Sequence, residues 1–159
     1  MPTAKIESRA ALRGHPLHPV LIHFPIAALL MLLASDIAFV FTHDTFWARA
    51  GFWLAAVGTV GGAVSGLAGA IDLFTVARIR RLVTAWAHGI LAVMLLSLAA
   101  FNFMLRLDDM SAYIMPWGLY MSLLTFALVN ITGFLGGQLV YEYGVGVDIR
   151  EATSRDVKP

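Results

Sequence analysis

The chain has 159 residues, of which 59% are hydrophobic and only 13% charged, and its mean hydropathy is positive. A soluble domain carries about 25% charged residues, and a water-exposed body of this size cannot hide so many apolar side chains, which excludes a soluble enzyme. Cysteine is absent and the formal charge is +1; disulfides, thiolate metal sites, cysteine-ligated iron–sulfur clusters and covalent c-type haem are excluded, and nothing argues for nucleic-acid binding.

Residues 1–14 read as a short charged tail. Four windows follow, at about 20–41, 50–72, 82–105 and 113–141, and each supplies the roughly 20 apolar residues that a helix needs to cross hydrocarbon. The expected fold is all-α: a polytopic membrane protein whose four transmembrane helices form two antiparallel hairpins, because the polar breaks between windows are short. Residues 148–159 read as a second solvated tail. Lys5, Arg9, Arg13, Arg78, Arg80, Arg81, Arg150, Arg155 and Lys158 fall on one side of this topology and only Arg49 and Arg106 on the other. That bias predicts a bacterial inner-membrane protein with both termini cytoplasmic. The first apolar window outruns the roughly 7–15-residue core of a signal peptide and lacks a small-x-small cleavage site, so it reads as an uncleaved span.

Small residues mark packing faces. Gly58, Gly62 and Gly66 recur at four-residue spacing in the second window, beside a row of Gly61, Ser65 and Gly69; Gly133, Gly136 and Gly137 do similar duty in the fourth. Such rows admit close helix approach, within the bundle or in a homo-oligomer. They also suggest an internal repeat of the hairpin, matching His23 to His88 and Gly66-x-x-Gly69 to Gly133-x-x-Gly136.

The chemistry-bearing residues gather at the cytoplasmic boundary. Pro16 and Pro19 place His15 and His18 on an extended lead-in, with His23 one turn inside the membrane. Asp72, His88, Gln138 and Tyr141 return to the same face. Using 1.5 Å per residue, His23 and His88 share a depth of roughly 5–9 Å, which suits the two axial ligands of a b-type haem. The same groups, His15, His18, His23, His88 and Asp72, also make a ligand set for iron, copper or zinc, with Tyr141 and Gln138 behind them. Against this stands a structural reading, in which the histidines fix helix starts and Asp72 pairs with Arg78 or Arg81. Asp36 lies near the outer boundary, where it serves an ion relay or reaches water or Arg49. Asn102 and Asn130 are candidates for interhelical hydrogen bonds. Trp47, Trp53, Trp86 and Trp117 fall at span ends, as an aromatic belt would have them.

The string His15-Pro-Leu-His-Pro-Val-Leu-Ile-His-Phe-Pro-Ile-Ala, with Gly66-x-x-Gly69-x-x-Asp72, His88 and Gly136-Gly-Gln-Leu-Val-Tyr-Glu-Tyr-Gly-Val-Gly-Val147, resembles the domain-of-unknown-function 2231 family of bacterial membrane proteins. The resemblance spans roughly residues 15–147. It implies a small four-helix inner-membrane domain, joined in some architectures to a Rieske-type domain that this chain lacks. It implies no activity.

Three functions follow from these residues. The first is a haem- or metal-binding electron carrier that hands electrons to a quinone or a redox protein. The second is a metal-handling protein, which four helices would need oligomers to make into a pathway. The third is a structural or assembly subunit. No serine has the context of an activated nucleophile, so a redox carrier or accessory subunit is expected rather than a stand-alone enzyme.

Overall fold

The computed structural model describes residues 6–147, and four helices in it are long and apolar enough to span a membrane. The first, α1, runs Leu17–Thr42. Pro19 is accommodated because the first turn of a helix needs no donor there, and the helix therefore starts early enough to include His18. His18 is thus helical, and not on an extended lead-in as the prolines suggested. The helix stops at His43, which takes the left-handed conformation while its N–H bonds to the Phe39 carbonyl. Asp44 then caps α2, Thr45–Thr75, by accepting from the Phe46 N–H at 2.8 Å. A short α3, Ala77–Arg80, leads to α4, Val83–Met104. After α4 the chain turns at Asp109, whose carboxyl is held below the usual range by the Ser111 hydroxyl and then by the Ser111 and Ala112 N–H groups. A five-residue π turn, Ile114–Gly118, opens into α5, Leu119–Tyr141.

Partners on α1 and α2 run in opposite senses: His18 meets Ser65, Leu29 meets Gly58, and Ser35 Oγ donates to the Trp47 carbonyl. The same holds for α4 and α5, where His88 meets Thr132 and Asn102 meets Gly118 and Ser122. The central core is Leu29, Leu32, Ala55, Ala99 and Val129. A second, smaller core of Ile6, Ile79 and Ala85 closes one end of the bundle.

The N-terminal segment helps to build that end. Strands β1, Ala11–Leu12, and β2, His15–Pro16, pair antiparallel, and Ile6 bridges to Val145 through the Gly144 carbonyl and the Gly146 N–H. From Ile6 onward the expected solvated tail is instead folded, because Ile6 has an apolar pocket to fill and is 5% exposed. Residues 1–5 and the tail at 148–159 lie outside the described residues.

The small-residue rows divide by contact. A Cβ on Gly58 would come 2.4 Å from Leu29 Cδ2, one on Gly62 3.2 Å from Leu96, and one on Gly69 or Gly136 against the His18 or His88 ring. Gly66 and Gly133 face open space instead, so neither packs against another helix within this bundle. Gly58→Ala should therefore cost about 1–3 kcal/mol, whereas Gly66→Ala should be neutral or stabilising by up to about 1 kcal/mol. Paired thermal melts in mild detergent check this.

At the other end of the bundle a charged network is sealed from solvent. Arg106 Nη1 and Nη2 donate to Asp36 Oδ1 and Oδ2 at 2.9 and 2.8 Å, and the two side chains are 1% and 0% exposed. Asn102 Oδ1 accepts from Arg106 Nε at 3.1 Å and from Nη2 at 3.0 Å. Asn102 Nδ2 donates to Ser122 Oγ at 2.9 Å and to the Gly118 carbonyl at 3.3 Å, and the Ser122 hydroxyl donates to Asp36 Oδ2. Asp36 therefore pairs with Arg106, not with Arg49 or outer water, because the turn after α4 folds Arg106 back into the bundle. Asn102 bonds between helices as expected, while Asn130 bonds only to the Phe126 carbonyl of its own helix. Arg106→Met leaves Asp36 buried and uncompensated and should cost about 3–5 kcal/mol; adding Asp36→Leu should restore most of that loss. Unfolding of the two variants in detergent, side by side, measures the difference.

Candidate functional site

The histidine end is built by two pairs of helices that repeat one contact. His18 Nδ1 lies 2.9 Å from the Ser65 carbonyl and 3.1 Å from Ser65 Oγ, and the Ser65 hydroxyl donates back to the His18 carbonyl at 3.3 Å. His88 Nδ1 lies 2.9 Å from the Thr132 carbonyl. A carbonyl only accepts, so each Nδ1 donates to it, and in the neutral tautomer with that proton the free acceptor is Nε2. Under each ring sits a glycine: a Cβ on Gly69 would be 3.1 Å from His18 Nδ1, and one on Gly136 3.3 Å from His88 Cε1. The two rings stand 6.0 Å apart between centroids, with planes at 87°. Neither Nε2 has a hydrogen-bond partner among the described residues.

The contacts recur at matching offsets in the chain. His88 stands 70 positions after His18, and Arg106 stands 70 after Asp36. Thr132, Gly136 and Gly118 each stand 67 after Ser65, Gly69 and Gly51. Gly51 and Gly118 flank the same guanidinium: a Cβ on Gly51 would lie 2.8 Å from Arg106 Nη1, and one on Gly118 3.0 Å from Nη2. Residues that are equivalents of one another and also touch must straddle the pseudo-two-fold axis. His18 and His88 do so at one end of the bundle, and Asp36 and Arg106 at the other.

The residues expected at this site divide accordingly. His18 and His88 come together; the equivalent of His23 is Val93, and both are exposed on the outside of the bundle. His23 is thus not the partner of His88: α1 begins earlier than the prolines suggested, and five residues along a helix carry a side chain to another face. His15 is exposed on β2, its Nδ1 3.2 Å from the Arg13 carbonyl. Asp72 is 8% exposed and is consumed by the N-terminal segment, accepting from Ser8 Oγ at 2.6 Å, the Arg9 N–H at 2.7 Å and the Ala10 N–H at 2.9 Å. Both of its carboxylate oxygens thus accept from residues 8–10. Tyr141 is 83% exposed, and Gln138 Nε2 donates to Glu142 Oε1 at 3.4 Å, so neither stands behind the histidines. Among the described residues no three His, Asp or Glu side chains gather closely enough to hold a metal ion. Sequence reasoning missed Ser65 and Thr132 as anchors of the rings. The available signal was a hydroxyl residue four positions before a glycine in the span that follows each histidine, Ser65 before Gly69 and Thr132 before Gly136.

The family model described as "Predicted membrane protein (DUF2231)" matches residues 14–149. The chain belongs to this family. Neither the curated proteins nor the solved structures gave a match. The family match covers every element from the His18 turn to the end of α5, so the histidine end and the Asp36–Arg106 end both lie inside the family domain.

The Asp72 contacts make a direct prediction. Three hydrogen bonds to one carboxylate order residues 8–10, and each of them donates to a charged acceptor, which strengthens it. Asp72→Ala should release that segment: trypsin should cut at Arg9 and Arg13 in the variant well before it does so in the parent, with the four spans intact on the same gel.

Proposed function

We propose that this protein is an inner-membrane electron carrier, its termini cytoplasmic, in which His18 and His88 present two Nε2 donors to one metal centre, either haem iron of the b type or a transition-metal ion. The observation that carries the reading is the matched pair of rings, each locked through Nδ1 to a backbone carbonyl. That is the outer-shell arrangement that fixes a ligating histidine and raises its basicity. The two ring centroids stand 6.0 Å apart, on the scale of two metal–nitrogen bonds of about 2 Å each. Haem would bring nitrogen ligands of its own, so His18 and His88 would suffice to hold it; a bare ion would draw its remaining ligands from water or a partner. Electron exchange would then run to a quinone or a redox protein at the same boundary, with a homo-oligomer as one route to bring two centres together.

A second reading has support from the same hydrogen bonds: each histidine staples one helix to its neighbour, and the chain is a structural or assembly subunit. One experiment separates the two. Protein purified in mild detergent from cells supplied with iron, copper and zinc is examined by oxidised-minus-reduced visible spectra and elemental analysis. The carrier reading expects a Soret band with sharp α and β bands, or near one metal per chain, lost in His18→Ala and in His88→Ala and kept in His23→Ala. A colourless, metal-free parent whose His18→Ala and His88→Ala variants lose folded protein would establish the staple in its place.

A further inference from the structure

The connection between α2 and α4 forms a basic edge that the histidine pair does not use. Arg80 and Arg81 are exposed there. Arg80 Nη1 donates to the Phe74 carbonyl at 3.0 Å, and Trp86 Nε1 donates to the Arg80 carbonyl at 2.9 Å. The Phe74 and Trp86 rings meet edge-on at 5.8 Å and are 58% and 38% exposed. Between the arginines and the bundle, Ile79 is buried in the small core with Ile6 and Ala85, so α3 is docked and the edge is held in place. The closest carboxylate in sequence, Asp72, is taken up by Ser8, Arg9 and Ala10. Neither Arg80 nor Arg81 has an acidic partner among the described residues.

We propose that Arg80 and Arg81, above the Phe74–Trp86 pair, bind the phosphate headgroup of an anionic phospholipid. Aromatic side chains of this kind sit at headgroup depth, and the guanidinium fork matches two phosphate oxygens. Arg80 has one arm tied to the Phe74 carbonyl, which orients the rest of its fork. A lipid also accounts for the exposed rings below: its acyl chains cover them, which an acidic protein arriving from water does not. This proposal is independent of the histidine site.

The test uses the full chain in mild detergent, offered equal amounts of phosphatidylglycerol and phosphatidylcholine with matched acyl chains, with retained lipid read by native mass spectrometry. The parent should prefer phosphatidylglycerol by roughly tenfold or more. Arg80→Gln with Arg81→Gln should bring the two lipids close to parity, while Arg13→Gln, which removes a charge from the β1–β2 turn at the same end, should leave the preference in place. A parent with no preference overturns the proposal, as does a loss in Arg13→Gln equal to that in the double variant, since net charge alone would then explain it. If the glutamine pair does not fold, Arg80→Lys with Arg81→Lys keeps the charge: the preference should fall severalfold, and an unchanged preference overturns the site.

Discussion

The buried pair between Asp36 and Arg106 sets the terms for the rest of the bundle. Lipid removes the hydrophobic drive that holds helices together in water, so most of the interior contact here is modest: Leu29, Leu32, Ala55, Ala99 and Val129 form a thin core. A guanidinium and a carboxylate withdrawn from solvent are held only if their donors and acceptors find partners. Asn102 and Ser122 complete that set, and they come from α4 and α5 while Asp36 comes from α1. The network therefore ties the first helix to the last two. Gly51 and Gly118 leave the room the guanidinium needs, since a Cβ at either place would crowd it. A buried pair of this kind is weak evidence for net stability. What it does impose is register, because no slip of α1 against α4 keeps both oxygens paired.

The repeat sharpens this point. Asp36 and Arg106 occupy equivalent positions in the two halves, yet they carry opposite charges. Two copies of either half would bring like charge against like at this place. The opposite signs thus favour association of the unlike halves of one chain, a use of buried polar groups to choose among pairings. At the other end the equivalents stay alike, histidine against histidine, and the two rings meet edge to face.

Much of the fold was legible from sequence, because hydrocarbon thickness imposes a length and polarity on each span that composition reveals directly. The four windows lie within or close to the helices that formed. The family was legible too, through the His-Pro string and the glycine-rich ending. The site was legible only in part. The sequence pairs His88 with His23, whereas the ring that meets His88 is that of His18, because the helix begins at Leu17, two residues before the Pro19 that suits a first helical position. Asp72 and Tyr141 share a boundary with the histidines, but equal depth says nothing about which way a side chain faces around its helix. Arg106 was read as an outer-loop charge; its burial depends on how the chain turns after Met104, a tertiary matter that no local pattern encodes.

The two ends of the bundle differ in what they leave undone. Around Arg106 the guanidinium and the carboxylate are drawn into bonds with one another, Asn102 and Ser122. Around the histidines each ring is fixed on one side by a carbonyl and left without a partner on the other. Polar groups held within a membrane are costly enough to be kept chiefly for use. Stapling α1 to α2 and α4 to α5 requires only one nitrogen of each ring, a task that a serine or threonine at the same place performs with fewer atoms. The second nitrogen is what distinguishes histidine here, and in the proposed carrier it is this nitrogen, present on both rings, that a metal centre would take up.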